Sequence, residues 1–272
     1  MAHHPGLGSG PANDSDKSLL ITPMVKISLI TATYNAADTV ADSLRSAAMQ
    51  TYQNVEHIVI DGASTDGTQK IVEESGERLT TFVSEPDRGI YDALNKGIAL
   101  ATGDVIGFLH ADDLFAHQEV LLRVASTFQD PDVDVSYGDL EYVRRTDPDR
   151  VVRRWISGTF APGRLAYGWM PPHPTFYVRR QMYDRFGLFD LDYKISADYD
   201  QMLRLLRQQE TTVRYIPETL IQMRLGGASN QSLQSILLKS SEDYRIIQRH
   251  KLIGFLTLLG KNLSKVRQFR PF

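Results

Sequence analysis

The sequence predicts an α/β fold: a doubly wound, mostly parallel central sheet flanked by helices, with a mixed-sheet second half and a basic, helical C-terminal tail. Three observations carry this expectation. Apolar strand-like runs alternate with helix-period runs from residue 25 to residue 110, and the connections between them are short. Beyond residue 128 the alternation loosens into long loops and isolated strand patterns.

The elements follow in order. Residues 1–23 are rich in Gly, Ser, Pro and Asp and read as a disordered leader, in which His3 and His4 and the glycines have no strand or helix to present them. Residues 24–243 form the predicted folded domain. Within it VKISLIT (25–31) is a strand, ADTVADSLRSAAMQ (37–50) an amphipathic helix and VEHIVID (55–61) a second strand. The same grammar repeats: a helix over 66–77, the strand LTTFVSE (79–85), a helix over 90–101, and the apolar strand DVIGFLH (104–110). A helix over 118–128 and a strand in DVDVSYGDLEYV (132–143) come next, then a loop-rich stretch. ADYDQMLRLLRQQ (197–209) has helical spacing, VRYIPETLIQMRL (213–225) reads as a closing strand pair, and GGASN (226–230) as a loop.

Composition narrows the function. Hydrophobic residues make up 42% and charged residues 23%, a balance suited to a sizeable core. Thirty Lys and Arg against 33 Asp and Glu leave a net charge of -3, so nothing global favours nucleic acid as a partner. Zero cysteines exclude disulfides, zinc ribbons and thiol chemistry and fit a reducing cytosol, so the expected location is cytoplasmic. No apolar run reaches the roughly 18 residues of a membrane-crossing helix.

In a doubly wound sheet, ligands gather at the carboxyl ends of the strands. Thr33, Tyr34 and Asn35 follow the first strand, and Asp61-Gly62-Ala63-Ser64-Thr65-Asp66 follows the second. Tyr34 can stack on a base and Asp61 can accept from a base or ribose; equally, Asp66 caps a helix and Gly62 makes a turn. His110-Ala111-Asp112-Asp113 ends the fourth strand, where paired carboxylates suit Mg²⁺ or Mn²⁺ or an N-cap. Asp198 and Asp200 open a helix, as caps or as a general base.

Taken together, ITATYN, VIDGASTDGT, SEPDRGIYDALNKGIALATGDVIGFLHADD and SADYDQMLRL make the chain resemble the inverting family 2 glycosyltransferases of GT-A fold, from about Val25 to Gly227. The nearest subgroup is the bacterial enzymes of surface polysaccharide or glycolipid assembly. The resemblance implies a nucleotide-sugar donor (UDP-, GDP- or dTDP-linked) and a saccharide or lipid-linked acceptor. It also implies that Thr33, Tyr34, Asn35, Asp61 and Asp66 line the nucleotide pocket and that Asn95 and Lys96 approach the donor. His110, Ala111 and Asp112 match the metal-binding signature, with Asp112 and Asp113 as ligands of Mn²⁺ or Mg²⁺. His110 stands where that signature usually has Asp, and Ala197 where Glu is often found. Asp198 matches the catalytic base and Asp200 is the fallback. Trp169 and His173 fall on the acceptor side, Trp169 as a sugar-stacking face or a core aromatic. Gly226 and Gly227 match a closing loop or form a plain turn.

The tail, 244–272, carries Arg245, Arg249, Lys251, Lys261, Lys265, Arg267 and Arg270 among apolar residues, with no acidic residue after Asp243. It either lies on an anionic membrane, at the inner face of the cytoplasmic membrane, or packs on the domain or on a second subunit in a homo-oligomer. Two other functions compete. One is a nucleotidyltransferase, which wants a basic glycine-rich first loop that ITATYNAADT lacks; the other is a scaffold that binds a nucleotide sugar without turnover.

Overall fold

The computed structural model describes residues 1, 24–76, 78–226 and 233–266. The expected leader, Gly227 and the last six residues of the tail therefore lie outside the described residues. The first half runs β1 (Ile27–Thr33), α1 (Val40–Ala48), β2 (Val55–Asp61), α2 (Thr68–Glu74), β3 (Leu79–Ser84), α3 (Ile90–Leu100) and β4 (Val105–Phe108). The second runs β5 (Asp113–Phe115), α4 (Val120–Thr127), β6 (Val135–Arg144), β7 (Asp147–Trp155), β8 (Tyr177–Arg179), α5 (Arg180–Phe186), α6 (Ala197–Leu206), β9 (Val213–Arg224), α7 (Leu233–Arg249) and α8 (Phe255–Val266).

Among the described residues these strands form one sheet of order β3-β2-β1-β4-β8-β6-β9-β5, with β7 paired to β6. The first four strands of that order are mutually parallel. At β8 the direction switches, since β8 is antiparallel to both β4 and β6. β9 then runs parallel to β6, and β5 antiparallel to β9. The parallel first half and mixed second half are as the sequence predicts.

Alternation along β1 splits the core in two. Ile30 and Ala32 face one side of the sheet, with Tyr91, Leu94 and Ile98 of α3 and Tyr199, Met202 and Leu203 of α6. Ile27 and Leu29 face the other, with Val120, Leu121 and Val124 of α4. A polar knot closes the amino end of the strands: Glu56 accepts from Ser28, Thr102 and the Gly103 amide and pairs with Lys26 at 2.7 Å. Burial opposes the charge, but these bonds hold the carboxyl down at about 2.

Three differences from the sequence reading have physical causes. The expected closing strand pair is a single strand, β9, because Pro217 falls where the β6–β9 register shifts and no ladder donor is missed. β5 and β8 have three residues each, too few to show a period. The expected tail boundary at 243/244 falls inside α7, where Glu242, Asp243, Ile246 and Ile247 are all buried. α8 is docked as well: Thr257 donates to the Ala166 carbonyl at 2.6 Å, and Gly260 lies against the Tyr167 carbonyl so closely that a Cβ would collide with it. Among the described residues no helix is long and apolar enough to cross a membrane.

Candidate active site

The first wall of the site is made where β1, β2 and β3 end. Asn35 and Ala63 hold left-handed backbone (φ 47° and 59°), a conformation that side chains rarely adopt and that marks these turns as constrained. The turns are cross-tied, with the Asn35 amide donating to Ser64 Oγ at 2.8 Å and the Thr65 amide to Asn35 Oδ1 at 2.9 Å. Asp61 is fully buried and accepts from the Ser64 amide, the Ser64 hydroxyl and the Ser84 hydroxyl. Asp66 accepts from Thr68 and the Ala37 amide, bonds that hold its carboxyl below the usual range. Both carboxylates expected to hold base and ribose thus have their oxygens engaged by the loops themselves. Thr33 is buried at the end of β1, and its hydroxyl has no partner among the described residues.

Tyr34 is 66% exposed, its ring over Gly62. A Cβ at Gly62 would stand 2.6 Å from Asp87 Oδ2 and 3.2 Å from Tyr34 Cδ2, so the absent side chain is what lets ring and carboxylate share this corner. Asp87 stands in the SEPDRG run, where nothing in the sequence singles it out from its neighbours.

The second wall starts after β4. Ser43 of α1 donates to the His110 carbonyl at 2.9 Å, fixing the turn that carries His110 and Asp112. Asp112 is half-buried and accepts no hydrogen bond among the described residues. Asp113 diverges from it: it enters β5 opposite Met223 and is buried, with neither carboxylate oxygen hydrogen-bonded. Burial and the neighbouring Asp112 push its carboxyl well above the usual range, against the pull of Arg224. The expected pair of metal carboxylates therefore splits, with Asp113 buried in β5 and Asp112 the member that meets solvent.

At that turn, His110 meets a second imidazole, His173, and the carboxylate of Asp198. The rings of His110 and His173 stack with centroids 6.0 Å apart, and His173 stacks on Phe108 at 5.2 Å. Burial depresses both histidines, His173 to about 4, while Asp198 pulls the other way, so both are neutral near pH 7. Asp198 Oδ1 accepts from the Tyr199 amide at 2.8 Å and lies 3.1 Å from the Tyr91 hydroxyl, which also reaches the Ile195 carbonyl at 2.7 Å. Burial tends to raise the Asp198 carboxyl, but the positive potential of Lys239 and Lys261, with the Tyr199 amide, holds it below the usual range, His173 adding to this only when it is protonated. The result is an ionised carboxylate with Oδ1 fixed and Oδ2 without a hydrogen bond among the described residues.

What holds Asp198 there lies in α7. Glu242, 2% exposed, accepts from three consecutive amides, Lys194 at 2.8 Å, Ile195 at 2.9 Å and Ser196 at 3.0 Å, which lead into α6. Asp200, the fallback base, is fully buried and pairs with Arg204 at 2.9 Å and His250 at 2.8 Å, so it ties α6 to α7. Tyr91 and Glu242 were both missed in the sequence: Tyr91 stands inside the SEPDRGIYDALNKG run, yet nothing there assigns it a role, and Glu242 stands in no motif.

The remaining expected residues lie around this cleft. Asn95 exchanges two bonds with the Phe189 backbone, at 2.9 and 3.0 Å, and Phe189 in turn packs edge-on against Phe108 and His173. Lys96 pairs with Glu85 at 2.7 Å and reaches the Pro86 carbonyl, bracing the loop after β3. Trp169 donates to the Ser157 carbonyl and packs on Tyr137 and Phe160, the core-aromatic alternative for this residue. Gly226 is exposed, in left-handed backbone, just past β9.

The sequence matches the family described as Glycosyl transferase family 2 over residues 28–211. It is 33% identical over 218 residues to a PGL/p-HBAD biosynthesis glycosyltransferase of Mycobacterium bovis, covering 78% of this chain and 82% of that one. Among solved structures, Staphylococcus aureus TarS 1-349 in complex with UDP superposes with a TM-score of 0.62 at 20% identity, covering 88% of this chain and 69% of that one. Against a longer TarS chain the present sequence spans 42% of the length. The mannosyltransferase PcManGT from Pyrobaculum calidifontis, in complex with GDP-Man and Mn²⁺, also gives 0.62, at 18% identity, covering 89% and 74%. With the sheet order, the strand-end loops and the family match in agreement, this chain belongs to glycosyltransferase family 2.

Proposed function

We propose that this chain transfers a sugar from a nucleotide-sugar donor to an acceptor hydroxyl, on a saccharide or lipid-linked saccharide, with inversion at the anomeric carbon. One observation carries the reading: an ionised Asp198 with one unbonded oxygen lies close enough to the neutral imidazoles of His110 and His173 to act on both, and His110 shares the turn after β4 with Asp112. The nucleotide complexes of the structural neighbours support a donor of this class.

The nucleotide would stack on Tyr34 beside Gly62 and Asp87, in a wall kept rigid by Thr33, Asn35, Asp61 and Asp66. Asp198 Oδ2 takes the proton of the acceptor hydroxyl as its oxygen bonds to the anomeric carbon, and the bond from that carbon to the phosphate oxygen breaks on the opposite face. The electron pair leaves on the nucleoside diphosphate. Neutral His110 and His173 add no competing cation beside the base and no proton that would quench it.

The residues present fit a divalent cation. Asp112 offers a carboxylate without a hydrogen bond, and His110 a buried Nδ1 without a partner. No group of three or more acidic or His side chains among the described residues could hold an ion alone, so donor phosphates and water would complete the shell. Mn²⁺ or Mg²⁺ bound there would offset the charge that builds on the leaving diphosphate.

The test is calorimetry with UDP, GDP, dTDP and CMP, each with Mn²⁺, Mg²⁺ or EDTA, on wild type and Asp112→Ala. One nucleotide bound only with metal, and lost in the variant, is expected. Absence of binding in every condition would instead favour a scaffold. A lipid-linked acceptor would bring the protein to the inner face of the cytoplasmic membrane. Exposed Leu237, Tyr244 and Leu256, near Arg245 and Lys251, are the candidate contacts, and flotation with anionic vesicles checks them.

A further inference from the structure

We infer that Lys261, carried by the C-terminal helix α8, is a positioning residue for Asp198, so that the tail completes the catalytic site. The inference rests on the reading of Asp198 as the base only for its catalytic consequence; the contact network stands without it.

The observations converge on one point. Lys261 Nζ pairs with Asp243 at 2.7 Å and sits 3.4 Å from the ring centroid of Tyr199. Tyr199 follows Asp198 in the chain and donates its amide to Asp198 Oδ1. Asp243 follows Glu242, the carboxylate that receives the three amides leading into α6. A cation pinned between Asp243 and the Tyr199 face thus joins α7 and α8 to the first turn of α6. The anchorage of α8 is equally specific. Thr257 is fully buried and bonds Ala166, and Gly168 and Gly260 allow the helix and the 162–168 turn to meet backbone to backbone. A helix fastened this closely delivers a buried ammonium at a defined place, where a surface lysine would wander.

Burial lowers Lys261 to about 8, and Asp243 and Asp198 work to keep it charged. Its potential reaches Asp198, which is also faced by Lys239 from α7, Tyr91 from α3, His110 from the turn after β4, and His173; Glu242 acts on Tyr91. Removal of the Lys261 charge leaves Lys239 as the remaining lysine in that set.

The experiment is a carbon-13 NMR titration of aspartate carboxyls in the full chain, with the Asp198 resonance assigned by its absence in Asp198→Asn. Lys261→Met alone strands the buried Asp243, so the informative variant is Lys261→Met with Asp243→Asn, alongside Lys261→Arg. The double variant is expected to titrate Asp198 at higher pH than wild type, and Lys261→Arg to stay close to wild type. An Asp198 midpoint unmoved in the folded double variant overturns the inference, as does an equal shift in Lys261→Arg. Activity separates the two readings. If Asp198→Asn leaves turnover intact, the base assignment fails while the titration still judges Lys261. If Asp198→Asn abolishes turnover, the double variant should lose about threefold or more toward the acid limb, and unchanged acid-limb turnover counts against Lys261.

Discussion

The two walls of the cleft are built in different ways. The wall proposed for the nucleotide, at the ends of β1 to β3, is held by short polar ties between neighbouring loops: Asn35 to Ser64, Ala37 to Asp66, Ser84 to Asp61. The wall proposed for catalysis is held by contacts between distant parts of the chain, with Tyr91 reaching Ile195 across 104 positions and Glu242 reaching Ile195 across 47. The first wall is a local device that any parallel strand-loop-helix unit can carry. The second exists only once the whole molecule has folded, so its chemistry and its stability are harder to separate.

The largest expected effect sharpens that contrast. Asp198→Asn should lower kcat about a thousandfold while nucleotide binding and the thermal midpoint stay near wild type, because Asp198 Oδ2 has no structural bond to lose. Steady-state kinetics beside calorimetry checks it, and lost nucleotide affinity would mean that the two walls are not independent. Glu242→Ala should cost about 3 kcal/mol in urea unfolding, since three amides lose a buried acceptor. Turnover should fall with it.

Gly62→Ala should act on the first wall alone. Nucleotide affinity is expected to drop roughly tenfold as Asp87 and Tyr34 are pushed apart, with turnover of saturated enzyme preserved. The smallest effect concerns Glu56, below both walls. Its folded carboxyl titrates near 2, beneath the unfolded value of about 4.3. The stability it contributes is therefore complete above about pH 5 and is lost as pH falls toward 2. Glu56→Gln should flatten the stability profile across that window and lower the plateau above it, as read from urea midpoints between pH 2.5 and 6.

The same contrast explains what could be read in the sequence. β2 and α3 were legible almost residue by residue because their periods are strong and local. β7 was not: Pro148 and a run of arginines hide an edge strand that lacks a clear apolar alternation. In the site, strand-end logic reached His110 and Asp112, while Asp198 and His173 came from the family resemblance; the His110 and His173 rings stack, and Asp112 and Asp198 both act on His110. It also reached Asp61 and Asp66, but no pattern tells a carboxylate that faces a ligand from one that ties its own loop. Asp87, Tyr91 and Glu242 escaped because their roles come from what they meet in space. The tail left a membrane-lying helix and a packed one equally open, because charge and period are visible in sequence, whereas a glycine that permits close docking carries no label.

The switch in strand direction at β8 has a mechanical consequence. This three-residue strand holds the parallel half to the mixed half through Val105 opposite Arg179 and Ile106 opposite Val178 on one side, and Val135 opposite Val178 and Ser136 opposite Tyr177 on the other. The Tyr177 ring fills the space left by the missing side chain of Gly107 and rivets that short join. Under load the molecule should part along this seam before either half unravels. Amides of β8 would be the first of the central sheet to exchange with solvent.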